Sequence, residues 1–159
     1  MGLFDKLKTL VGEHGCKVEI TSLEKQAPGE AVFPVGDSVF KGNFKVTATK
    51  PCTILAHKVE ICVTKKHADG REELVVLGDD RHDEKNQVFG LDYQWPYDMK
   101  AGDSKEDGFC VTSLDLPAVL AKLGSAADAS NLTWFVKVSA DVKGTPMDAD
   151  AKATFKVEA

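Results

Sequence analysis

Residues 132–142 have the sequence LTWFVKVSADV, and the alternation of their side chains decides the class of fold. The residues that share one face are Trp134, Val136, Val138, Ala140 and Val142. Successive side chains of a β-strand point to opposite faces, so this pattern predicts a strand with one face in the core.

Shorter alternating segments occur on both sides of this strand. Glycine, proline and aspartate separate them, and Ala68-Asp69-Gly70 predicts a hairpin turn. The segments are residues 16–21, 44–48, 58–65, 73–77, 87–91, 109–111 and 153–157. Seven or eight strands with a turn about every ten residues predict an all-β sandwich or barrel.

Two short segments have helical spacing instead. In residues 3–11, one helix face carries Leu3, Phe4, Leu7, Leu10 and Val11. A second helix is predicted over residues 118–123, with a proline before it and a glycine after it. We therefore expect an N-terminal amphipathic helix at residues 1–12 and a single sandwich domain at residues 13–159.

Composition excludes several classes of protein. The chain of 159 residues has a net charge of −5 and a pI near 5.4, which argues against a nucleic-acid binder. No apolar run is long enough to form a membrane-spanning helix. The four cysteines form no CxxC motif and predict buried free thiols. Free thiols and the absence of a signal-peptide pattern predict a cytoplasmic protein.

The arrangement of turns and strands resembles that of arrestin-like domains. Residues 33–46 (FPVGDSVFKGNFKV) resemble an early segment of that family, residues 99–117 a later one, and residues 132–157 the closing hairpin. Residues 2–7 (GLFDKL) resemble the start of the bacterial sporulation-control members. Gly42 follows Gly36 one residue later than is usual in the family, which predicts a bulge near Phe40.

This resemblance implies an immunoglobulin-like (arrestin-like) β-sandwich that binds other proteins without chemistry of its own. Arrestin-like proteins commonly have two such sandwiches, whereas this chain has the length of one. A single domain has no interdomain groove, so the resemblance implies nothing about receptor or phosphate sensing. The function that it implies is a regulatory protein-interaction module.

No catalytic, cofactor-binding or metal-binding residue is predicted. The four histidines, His14, His57, His67 and His82, show no HxH or HExxH spacing. The serines lie in no GxSxG motif, and no glycine-rich phosphate loop is present. We therefore expect a protein that is not an enzyme and needs no cofactor.

An alternative function uses two other features of the sequence. Residues 79–84 (DDRHDE) are polar and predict an exposed acidic loop that offers oxygen ligands to a divalent cation. Residues 93–97 (YQWPY) contain three aromatic residues that would suit a small ligand. The alternative is therefore a β-sandwich that binds a small ligand or a divalent metal.

The residues predicted to bind a partner lie in the N-terminal helix and in the aromatic segment. They are Leu3, Phe4, Leu7, Leu10, Val11, Tyr93, Trp95 and Tyr97. The expected partner is another protein, with a second copy of this chain as the alternative. Only two lysines lie on the polar face of the helix, so we do not expect it to bind a membrane surface.

Overall fold

The strand predicted from residues 132–142 lies inside the larger of two sheets. A computed structural model gives the fold for residues 15–24, 31–86, 94–123, 131–145 and 148–158. Within these ranges the chain forms nine strands and one helix. The elements are β1 (Cys16–Leu23), β2 (Ala31–Pro34), β3 (Phe40–Ala48), β4 (Cys52–Lys66), β5 (Glu72–Asp83), β6 (Tyr97–Met99), β7 (Ser104–Val111), α1 (Leu116–Leu123), β8 (Leu132–Val142) and β9 (Ala149–Glu158).

Two sheets share one apolar core, which confirms the predicted β-sandwich. In the described ranges the smaller sheet has the strand order β1-β3-β7, and the larger has β2-β9-β8-β4-β5 with β6 also paired to β4. Every pairing is antiparallel except that of β2 with β9. Phe40 of β3 stacks on Phe33 of β2 at 5.0 Å, so aromatic rings join the two sheets.

A β-bulge in β5 changes which of its residues face the core. Ile61 pairs with Gly78 and Cys62 pairs with Val76, so Leu77 is an extra residue in β5. Before the bulge the odd-numbered residues of β5 face the core, as Val75 does. After the bulge the even-numbered residues face it, because a Cβ atom on Gly78 would lie 2.9 Å from Val111 of β7.

Four expectations from the sequence need correction or stay open. Residues 79–83 belong to β5 and are not a loop, because the bulge lets β5 stay paired with β4 as far as Asp83. The predicted bulge near Phe40 is wrong: β3 pairs continuously with β7, and the irregularity lies in β1 between Ile20 and Ser22. The predicted helix at residues 3–11 and the strand at 87–91 lie outside the described residues, and the one described helix is α1.

We expect Gly42→Ala to destabilise the fold by about 2–3 kcal/mol, the cost of overpacking a tight site. A Cβ atom there would lie 2.6 Å from both the Phe109 ring and the backbone oxygen of Ser22. Urea unfolding measures this effect. Gly36→Ala is the matched control, because a Cβ atom at Gly36 meets nothing within 4 Å. Equal stability of the two variants would contradict the packing that we describe.

Candidate functional site

Two histidines lie side by side on neighbouring strands and face the core. His57 of β4 and His82 of β5 are partners in the strand register. His82 faces inward because it follows the bulge at Leu77. Both residues are buried, with 1% and 4% of their surface exposed. Polar rings are seldom buried without partners, so their hydrogen bonds define the site.

A carboxylate from the opposite sheet bridges the two rings. Asp107 of β7 is buried, and its Oδ2 atom lies 2.8 Å from His57 Nδ1 and 2.7 Å from His82 Nδ1. Its other oxygen accepts a hydrogen bond from the backbone N–H of Gly108 at 2.8 Å. One aspartate thus joins the two sheets through polar contacts in the middle of the sandwich.

The outer nitrogen of each ring also has a partner. His57 Nε2 lies 2.6 Å from the Tyr97 hydroxyl oxygen, and His82 Nε2 lies 3.0 Å from Asp80 Oδ2. Asp80 in turn accepts a hydrogen bond from the backbone N–H of Cys110 at 3.0 Å. Tyr97, His57, Asp107, His82 and Asp80 therefore form one continuous hydrogen-bonded chain, which we call the buried polar network.

The partners determine where the protons lie. A carboxylate only accepts hydrogen bonds, so each Nδ1 atom next to Asp107 carries a proton. His82 faces a carboxylate at both nitrogens, so both are protonated and the ring is a cation. His57 faces a carboxylate at one nitrogen and a hydroxyl at the other, so as a neutral ring it donates to Asp107 and accepts from Tyr97.

The pKa values of the two histidines shift in opposite directions. Burial lowers the pKa of His57 and outweighs the opposing effect of Asp107. Burial also acts to lower the pKa of His82, but its hydrogen bonds to Asp107 and Asp80 raise that pKa to about 9. Burial acts to raise the pKa of Asp107, but the hydrogen bonds from both histidines hold it below its usual value.

The sequence-predicted residues that are described lie mostly inside the protein. Trp95 and Tyr97 are each 6% exposed, which leaves little surface for a partner. The Trp95 ring packs edge-on against His57 with 4.6 Å between ring centroids, so Trp95 forms one wall of the buried polar network. Tyr93 and the five apolar residues of the predicted N-terminal helix lie outside the described residues.

The acidic residues at 79–84 do not converge as a set of oxygen ligands. Asp80 faces inward to His82, whereas Asp83 pairs with Arg81 at 2.6 Å. Asp83 also accepts hydrogen bonds from the backbone N–H groups of Lys85 and Asn86, so it stabilises the end of β5. The four cysteines are free thiols, as predicted, but only Cys16 and Cys62 are buried: Cys52 is half-buried and Cys110 is exposed.

The sequence did not predict the cluster of His57, His82 and Asp107. Reflecting β4 across the predicted turn at residues 68–70 places Arg81 opposite His57, and the bulge at Leu77, which the sequence did not predict, shifts the pairing by one residue to His82. Nothing in the sequence pointed to Asp107, which comes from the other sheet. Within the described residues these three are the group whose ligand atoms lie close enough together to hold a metal ion, all within 4.8 Å of one another.

Comparison with known proteins identifies the fold. No family model matches the sequence, and no curated protein matches it by sequence. Among solved structures, the chain is similar to Spo0M, the sporulation control protein of Bacillus subtilis, with a TM-score of 0.62 and 16% identity. The match covers 91% of this chain and 50% of that one, so the chain spans about half the length of Spo0M. None of the described helices is long and apolar enough to cross a bilayer.

Proposed function

We propose that this protein is a non-enzymatic regulatory module that binds another protein through the free edge of β5. The observation that carries the proposal is a pair of exposed apolar side chains on an edge strand. Leu74 and Val76 are 58% and 46% exposed and lie on the same face of β5. Within the described ranges β5 ends its sheet and pairs only with β4.

An edge strand offers a row of backbone N–H and C=O groups to an added strand. Extended segments of partner proteins bind in this way: backbone hydrogen bonds supply affinity, and alternate side chains supply specificity. Leu74 and Val76 are two residues apart, which matches the side-chain spacing of a strand. The partner that fits is a protein with an extended segment whose alternate side chains are apolar. The similarity in fold to a sporulation control protein supports a regulatory role.

In the test, two variants of the full chain, each carrying two affinity tags, capture proteins from cell extracts. The affinity of each purified candidate partner is then measured for both variants. The first form carries Leu74→Lys and Val76→Lys, and the control carries Thr154→Lys, an exposed position on the interior strand β9. We expect the edge variant to bind its partner at least tenfold more weakly, with an unchanged melting temperature. Retention of full affinity would show that β5 is not the interface.

A further inference from the structure

We propose that His57, His82 and Asp107 bind a divalent transition-metal ion, with zinc the best fit. Two imidazole nitrogens and one carboxylate oxygen converge on a single point between the sheets. Two histidines with one acidic residue are a ligand set that Zn²⁺ accepts, with one position left for water. The inference is independent of the proposed binding at β5.

The separations of the ligand atoms suit a small cation. Asp107 Oδ2 lies 2.7–2.8 Å from both Nδ1 atoms, and the three ligand atoms lie within 4.8 Å of one another. Zinc bonds of about 2.0–2.1 Å separate tetrahedral ligand atoms by roughly 3.3 Å. Each nitrogen–oxygen pair therefore has to move apart by about 0.5 Å, and the two nitrogens, which lie within 4.8 Å of each other, have to reach the same separation of roughly 3.3 Å. The ion replaces the protons that now hold those atoms together.

The contacts of His82 already match those of a metal-bound histidine, whereas His57 has to move its proton from Nδ1 to Nε2 and donate it to the Tyr97 hydroxyl oxygen. Metal-ligating histidines almost always donate their other N–H group to a carboxylate, a carbonyl or another polar oxygen, which fixes the ring. His82 Nε2 faces Asp80, and His57 Nε2 faces the Tyr97 hydroxyl. Because both outer nitrogens have oxygen partners, neither ring has to rotate to present Nδ1 to the ion, and only the hydrogen bond between His57 and Tyr97 reverses its direction.

The side chains of the cluster are 1–5% exposed, so an ion reaches them when the fold opens locally. A polar surface cleft is lined by Asn43, Glu106, Asp107 and Gly108 together with residues of β1. Because Asp107 is one of its lining residues, this cleft is a surface feature that borders the cluster. A cation approaching there meets a carboxylate from Glu106, which would help to attract it.

The test titrates the full chain with Zn²⁺ after chelator treatment, in competition with a chromophoric chelator. The background carries Cys110→Ser, because the exposed thiol is another zinc ligand. We expect one ion per chain, and we expect His82→Gln to weaken binding at least 100-fold. The control is His67→Gln, since His67 pairs with Glu73 at 3.1 Å and lies outside the cluster. Equal binding by the His82 and His67 variants would overturn the proposal.

A second measurement uses the protein with both histidines present, in case His82→Gln fails to fold. Co²⁺ replaces Zn²⁺ in four-coordinate sites and gives an intense visible absorption there. We expect that absorption without the near-ultraviolet band of a thiolate ligand, together with a rise in melting temperature as the ion concentration increases. A thiolate band, or the weak absorption of a fully hydrated ion, would overturn the proposal.

Discussion

Replacing Asp107 with alanine is expected to destabilise the metal-free protein by about 3–5 kcal/mol, the cost of leaving buried charge without its partner. Both histidines donate to the same carboxylate oxygen, so the substitution removes two hydrogen bonds at once. His82 would remain a buried cation with only Asp80 to balance it. A loss of this size is a large fraction of the 5–15 kcal/mol that typically holds a domain together.

The measurement is urea unfolding at neutral pH in the presence of a chelator. Asp107→Asn keeps the shape of the side chain but removes its charge, so we expect an intermediate loss of about 2 kcal/mol. Asp150→Asn is the surface control, because Asp150 forms an exposed ion pair with Lys137 at 3.8 Å, and we expect it to cost less than about 0.5 kcal/mol. A loss below about 1 kcal/mol for Asp107→Ala would show that the buried polar network does not stabilise the fold.

The second large effect is a loss of stability as the pH rises from 6.5 to about 9. The pKa of His82 is about 9 in the folded protein and near 6.5 in the unfolded chain, so the folded state holds this proton more tightly. The resulting stabilisation is complete below pH 6.5 and disappears as the pH rises through 9. Each pKa unit corresponds to about 1.4 kcal/mol, so the loss amounts to about 3 kcal/mol.

Below pH 6.5 the other histidine, His57, lowers the free energy of unfolding as the pH falls. The pKa of His57 is lowered in the folded protein, so the unfolded chain takes up a proton that the folded chain resists. The groups that face the two rings are Asp80, Asp107 and Tyr97. The pKa values of the two carboxyl groups are lowered, so the stabilisation that they contribute is lost only when the pH drops below about 4. Stability should therefore be greatest near pH 6.5.

Unfolding free energies measured from pH 5 to pH 9 with a chelator present test this profile. His82→Gln should remove the decline between pH 6.5 and 9 and leave the acid side in place. The buried thiols of Cys16 and Cys62 do not confuse the result: burial raises their pKa values to about 12 and 11, so their effect begins near pH 9. Constant stability of the unmodified protein between pH 6.5 and 9 would contradict the charged state of His82.

The sandwich was predictable because its strands obey simple alternation. The residues of β8 on one face, such as Val136 and Val138, are buried as their spacing predicts. The turn at residues 68–70 joins β4 to β5, as the hairpin signal predicted. Alternation of apolar and polar residues is visible in a single sequence because, within each strand, the apolar residues occupy the positions that face the core.

The buried polar network was not predictable by the same rule. After Leu77 the core-facing residues of β5 are Gly78, Asp80 and His82, none of them apolar and large, so the sequence predicts an exposed loop where the structure has a strand. Hydrophobicity identifies buried apolar residues and cannot identify polar ones whose partners come from elsewhere in the chain. Asp107 is 50 residues from His57, and only the packing of one sheet on the other brings them together.

The strand order of the larger sheet has a consequence for synthesis on the ribosome. β5 follows β4 directly and pairs with it as a hairpin, but β8, the other neighbour of β4, begins at Leu132. Until β8 emerges, the edge of β4 that pairs with it, from Ile54 to Lys65, has no partner strand from β8. A nascent chain paused in this interval exposes unpaired backbone N–H and C=O groups along a strand of 15 residues, and these groups can pair with other chains. The delay before β8 is therefore the stage at which chaperones would be most needed.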